Sequence, residues 1–254
     1  MFGIETLRTR TLTCKQITLN HGIDMVTGQA RQQSRNSTRA RVRRGNAEDA
    51  ERFRGELLAS ALAQFTAGGL DAVSMRAIAS SLGVSAMAPY RYFESRSALL
   101  DALLSRVLER LHDAVLESIG SSAGRAEGYQ RFFDGFLRFF ESHPEEFRLF
   151  YETQDRSRTA EPSLQDTGLY QRILALHQDS IRATVPHEVD AASLQVAADL
   201  SYVMLLGYLV STLVNRRYPL GDRGALRQAT IEQAAQAVQR CLLPRPRSPA
   251  SKRR

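Results

Sequence analysis

The sequence predicts an all-helical protein, a three-helix helix-turn-helix unit near the N-terminus followed by a larger helical unit. Three observations predict it. Apolar residues recur at three- and four-residue spacing along the segments between residues 54 and 242, as one buried stripe of a helix requires. Glycine, proline and serine or aspartate sit at the ends of those segments, where helices stop and start. A short helix, a glycine turn and another short helix follow one another between Ser74 and Tyr92.

In the first helix Leu57, Leu58, Ala61, Leu62 and Phe65 form the apolar stripe, and Gly68-Gly69 ends it. Ser74 is a natural N-cap for the second, which buries Ile78, Ala79 and Leu82 and stops at Gly83, the residue type that takes a left-handed conformation without penalty. Val84 packs inward and Ser85 caps a third helix whose first turn is Ala86, Met87 and Ala88. That turn is what a helix-turn-helix aims at base edges. Ala86 and Ala88 can touch a thymine methyl, Met87 lies beside them, and Arg91 can make a bidentate contact to guanine. Arg76 on the second helix is another candidate reader. Pro89 interrupts the third helix: it removes one early backbone bond and is expected to bias Ala88 away from helical angles.

Tyr90-Arg91-Tyr92-Phe93 is followed by Ser95, Arg96 and the apolar run Ala98-Leu99-Leu100. With the leucine-rich first helix and the Leu82-Gly83-Val84-Ser85 turn, this block resembles the TetR family of bacterial transcriptional regulators over roughly residues 50 to 110. The resemblance implies an N-terminal DNA-binding domain and a C-terminal helical ligand-binding and dimerisation domain. It implies contacts of Tyr90, Tyr92 and Arg96 with the phosphate backbone, joined by Ser74 and Ser85 at helix N-termini. It also implies a double-stranded DNA operator as partner, a homodimer, and a small-molecule effector of unknown identity. The corresponding division is a basic disordered tail over 1–46, the DNA-binding domain over 47–95, the effector and dimerisation domain over 96–243, and a second basic tail over 244–254.

After the DNA-binding unit a long helix carries Leu99, Leu100, Leu103, Leu104, Val107, Leu108 and Leu111 on one face. Gly120 to Gly128 is expected as a linker. The next helix presents Tyr129, Phe132, Phe133, Phe136, Phe139 and Phe140, and His143-Pro144 opens another with Phe147, Phe150 and Tyr151. An aromatic stripe at helical spacing is first of all a core. Here it also suggests an apolar effector pocket between helices, with Phe132, Phe136, Phe140, Phe147 and Tyr151 as its candidate lining. Helices near Leu164 to Ala183, Asp190 to Arg216 and Asp222 to Leu242 complete the chain. The last two offer Leu205, Leu209 and Leu213 against Ala234 and Ala237 as a candidate dimer interface, with an intramolecular core as the competing reading. A symmetric pair would set two recognition helices about 34 to 36 Å apart, one DNA turn.

The net charge of +7 looks like a nucleic-acid signature, but its distribution says otherwise. The tails, residues 1–46 and 244–254, carry +7 and +5, which leaves −5 on the folded middle. DNA affinity must then come from local placement of arginines, the tail serving at most as an auxiliary clamp. Other readings of the first tail are a start at Met25 or a transit-like leader. Cys14 and Cys241, the two cysteines, build neither a disulfide framework nor a metal cluster, which fits a reducing cytoplasm. The apolar run Leu200 to Val214 is short of a bilayer span and reads as a buried helix, so no membrane partner is expected.

No phosphate-binding loop, dinucleotide glycine fingerprint, G-x-S-x-G elbow or paired histidine on one helix is present, and His112, His143 and His177 stand apart in sequence. The expectation is therefore a regulator that is not an enzyme, with no cofactor and no metal. A DNA-binding regulator without any ligand, whose C-terminal half only dimerises or binds a partner, is the alternative.

Overall fold

The structure, a computed structural model, describes residues 47–120, 125–154, 168–215 and 217–243, and all regular structure among them is helical. The two basic tails and the start of the helix expected from Leu164 lie outside the described residues. The chain divides into two compact units, Met1–Glu56 and Leu57–Arg254. Of the first, residues 47–56 are the opening turns of helix α1 (residues 47–68), held by helix-surface ion pairs of Arg52 with Asp49 and Glu56 and of Arg54 with Glu51. Such exposed pairs contribute little each.

In the second unit, α1 buries Leu57, Leu58, Ala61 and Phe65 and ends at Gly69, whose φ of 72° closes the turn. A single 3-10 turn, Leu70–Ala72, leads to α2, Met75–Ser81. Ser74 caps α2 by accepting from the Ala77 amide at 3.2 Å. At the other end Gly83, at φ 66°, donates to Ser80 while Val84 donates to Ala79. This pair of reverse bonds satisfies the last carbonyls and turns the chain sharply.

Helix α3, Arg96–Ile119, is capped by Ser95 and buries the leucine face expected of it, extended by Val115. Helix α4 spans Arg125–Ser142, so the last residues of the expected linker are already its first turn. Pro144 then starts α5, Pro144–Gln154; the missing N–H of a first-turn proline costs nothing, and the His143 carbonyl takes the Glu146 and Phe147 amides. Helices α6 (Gly168–Arg182), α7 (Ala191–Leu209, prolonged by a π turn Val210–Val214) and α8 (Arg223–Leu242) follow. Asp190 and Asp222 cap α7 and α8.

Helix α4 is the centre of the bundle, packed against α3, α5, α6, α7 and α8, while α7 and α8 form an antiparallel pair within the chain. At the α3–α4 crossing a Cβ on Gly135 would fall 2.6 Å from that of Ser118, so glycine lets the helices meet. Arg227 of α8 ties the bundle together through Asp134 and Glu141 of α4, and Tyr208 of α7 donates to the same Glu141 at 2.7 Å.

Candidate DNA-binding face and effector cavity

The recognition segment is not the regular helix that the sequence suggests. Residues 86–88 form a turn and Pro89–Arg91 a 3-10 turn. Proline is the cause, though not by the route expected. Ala88 keeps helical angles, φ −61° and ψ −45°. Because Pro89 has no N–H, the Ser85 carbonyl accepts instead from Ala88 at 2.9 Å, and the i to i+3 pattern continues through Arg91 and Tyr92. No side-chain cap opens the 3-10 turn, and Ser85, expected as a cap, is exposed. Pro89 itself is buried, so the ring that shortens the helix also anchors it.

In a 3-10 turn residues three apart line up, so Met87 and Tyr90 share one row and Ala88 and Arg91 the next. Met87 is 68% and Tyr90 48% exposed, and Ala86, Arg91 and Arg76 are exposed as well. Tyr90 is thereby on the surface and Phe93 in the core. Tyr92 and Ser74 are half-buried.

Arg96 has another occupation. Its Nε donates to the Val73 carbonyl at 2.7 Å and its guanidinium also bonds the Leu70 carbonyl. It stitches α3 to the loop before α2.

In the bundle a small cavity of about 30 Å³ lies among α3, α4, α5, α6 and α7. That is room for a water or two. Of the residues expected to line a pocket, Phe132 and Phe136 do. Phe140 and Phe147 are instead packed solid, with ring centroids 5.2 Å apart in an edge-to-face pair. Tyr151 is partly exposed and stacks on Phe147. The remaining wall comes from Leu108, Leu111, Phe150, Tyr170, Ile173, Leu174, His177, Tyr202 and Leu205.

His177 changes the chemistry of that wall. It stacks on Phe132 at 4.8 Å, and its Nε2 lies 2.8 Å from the Ser201 hydroxyl, to which Tyr129 donates at 2.8 Å. Burial pushes the imidazole down to about 4, so it is neutral at physiological pH. Burial likewise pushes the Tyr129 phenol up, opposed by its bond to Ser201. The sequence holds a signal for this histidine that periodicity alone does not weigh: His177 falls four residues after Ile173 and four before Ile181, a polar residue on an apolar stripe. A wider groove of about 640 Å³ on another side of α4 is lined by charged residues such as Arg131 and Arg138, which pair with Glu127 and Asp134.

The expected dimer face needs correcting. Leu205, Leu209 and Ala234 are buried inside the single chain, and Leu213 and Ala237 are half-buried. On α7 the exposed stripe is Val196, Leu200, Val203 and Val214, with Gly207 among them. The segment Ala191–Val214 has 24 residues at mean hydropathy 1.6, long and apolar enough to cross a membrane, and only 39% of its most apolar window is buried. The helix fills most of the expected Asp190 to Arg216 span but is less deeply buried than the sequence suggests.

The sequence profile of bacterial regulatory proteins of the tetR family matches residues 57–103, from the α1 stripe into α3. Over those residues the chain is similar to the DNA-binding domain of the TetR family. Curated relatives agree: the HTH-type transcriptional activator FasR of Mycolicibacterium smegmatis is 30% identical over 110 residues, 43% of this chain and 50% of that protein. The HTH-type transcriptional repressor KstR2 of Mycobacterium tuberculosis is 30% identical over 103 residues, 41% and 52% of the two chains. The match therefore spans about half the length of these relatives. Both relatives are named as transcriptional regulators. Solved TetR-family structures share the fold. A bacterial regulatory protein of the tetR family from Rhodococcus aligns at TM-score 0.56 and 19% identity, covering 73% of this chain and 96% of its own. The TetR-family transcriptional regulator PfmR from Thermus thermophilus aligns at TM-score 0.51 and 22% identity, covering 74% and 99%.

Proposed function

We propose that this protein is a TetR-family regulator, a cytoplasmic, homodimeric repressor that binds a partly palindromic DNA operator and lets go when a small apolar molecule enters the bundle. The observation that carries the reading is the helix-turn-helix of residues 57–103 with Arg76, Met87, Tyr90 and Arg91 exposed on it. DNA binding then belongs to residues 47–95, and effector binding and dimerisation to 96–243. Ser74, Ser85, Ala86, Ala88 and Tyr92 flank the exposed readers and complete the proposed DNA contacts. The relatives include one named activator and one named repressor, so a reporter gene behind the operator decides the sign of control.

The exposed stripe on α7 supports pairing with a second copy: an apolar helix face of this length is poorly tolerated in water, and α8 runs beside it. Val203, 62% exposed, stands in mid-stripe. Val203→Asp is expected to give a monomer by sedimentation and to abolish operator binding; an unchanged dimer would move the interface elsewhere. The deciding experiment selects bound sites from a random duplex pool at physiological salt, using the full chain and a shortened chain beginning at Gly45. One inverted repeat enriched by both is expected. Binding without enrichment, lost as salt rises, would overturn the proposal.

The ligand-free regulator keeps one supporting observation, the small size of the cavity. Thermal stabilisation by a panel of lipophilic compounds separates the two readings.

A further inference from the structure

The cavity wall has a hydrogen-bond donor that no described residue uses. Tyr129 donates to the Ser201 oxygen, which leaves the Ser201 proton for the His177 Nε2, 2.8 Å away. The arrangement that uses the Ser201 proton has Nε2 accepting it and the ring proton on Nδ1. His177 is 95% buried and lines the cavity, and its Nδ1 makes no hydrogen bond to any described residue. The rest of the wall is leucine, isoleucine, phenylalanine and two tyrosines, without a single Arg, Lys, Asp or Glu. An ion there would lose its hydration with no opposite charge to meet, a heavy desolvation penalty.

Building on the effector reading above, we propose that the cavity selects an uncharged, largely apolar molecule with one hydrogen-bond acceptor, such as an aryl ketone, held by the His177 Nδ1–H. The stacking of His177 on Phe132 favours a flat body beside the acceptor. Entry of such a molecule requires the cavity to widen. The relay through Tyr129 and Ser201 fixes the donor in advance, so binding does not have to choose a tautomer.

The test measures binding of acetophenone, ethylbenzene and benzoate to the full chain and to His177→Phe, by calorimetry and thermal shift. Acetophenone is expected to bind at least tenfold tighter than ethylbenzene, benzoate not at all, and His177→Phe to erase the preference while retaining ethylbenzene. If the compounds bind alike, or the preference survives His177→Phe, the donor assignment falls and the cavity reading stands. If none binds the wild-type chain, both fall. Nitrogen NMR of the full-length protein at pH 7 reads the tautomer directly, whatever the variant's folding: Nδ1–H is expected, and Nε2–H or an imidazolium overturns the proposal.

Discussion

The DNA-binding module and the helical bundle put their polar chemistry in opposite places. The module turns Arg76, Met87, Tyr90 and Arg91 outward, on a segment held by backbone bonds among near neighbours. The bundle turns Tyr129, His177 and Ser201 inward, and the two hydroxyl partners, Tyr129 and Ser201, lie 72 residues apart in the chain. A surface that must meet a long polyanion is built from local geometry. A site that must exclude water is built from distant segments, and its selectivity depends on satisfying every buried polar atom.

If that contrast holds, damage to the bundle core should affect stability and leave the base preference of the surviving folded protein intact. The largest effect is expected at Phe140, buried among Phe136, Phe139, Phe147 and Phe150. Phe140→Ala should cost about 3–5 kcal/mol in urea unfolding. Next comes acid. His177 has a folded-state value of about 4 against an ordinary 6.5, so the unfolded chain binds the extra proton. Stability from this group is complete above pH 6.5 and is lost as pH falls from 6.5 towards 4, by about 3 kcal/mol in all. Denaturation curves at pH 7.5 and 5 check this, and His177→Phe should flatten the difference.

Within the module the contrast can be sharpened between two arginines. Arg96→Ala removes the guanidinium from the Val73 carbonyl and from the Leu70 carbonyl, which keeps the Val73 amide, and should lower stability by about 1–3 kcal/mol while weakening DNA binding only through loss of folded protein. Direct loss of binding with stability unchanged would restore Arg96 to the phosphate contacts. Arg91→Ala should leave stability within about 0.5 kcal/mol of wild type and cost about 1–3 kcal/mol of discrimination between operator and random duplex. Equal losses on both DNAs would end its base-reading role.

How much of this the sequence disclosed follows the same division. The stripe in α1, the cap Ser74, the helix starts near Asp190 and Asp222 and the turn at Gly83 are local, so spacing and residue type revealed them. The recognition segment was legible in place but not in form, because periodicity registers which residues face inward and not whether carbonyls bond three or four residues ahead. The cavity was half legible: Phe132 and Phe136 lie on a visible stripe, whereas His177 and Tyr202 join it only when α6 and α7 pack against α4. For α7, apolar residues nearly all round the helix left no periodic signal to separate the inward face of Leu205 and Leu209 from the outward face of Val196 and Val203.

If a second copy covers that outward face, the protein's durability is linked to its abundance. Whatever covers Val196, Leu200 and Val203 binds the folded chain alone, so mass action ties resistance to unfolding to the supply of the covering surface. For a chain that covers itself with its own copy, dilution becomes a denaturant: melting temperature rises with protein concentration. Newly made chains in a sparsely expressing cell would then be the most exposed to proteolysis, and the amount of regulator would sharpen into a threshold.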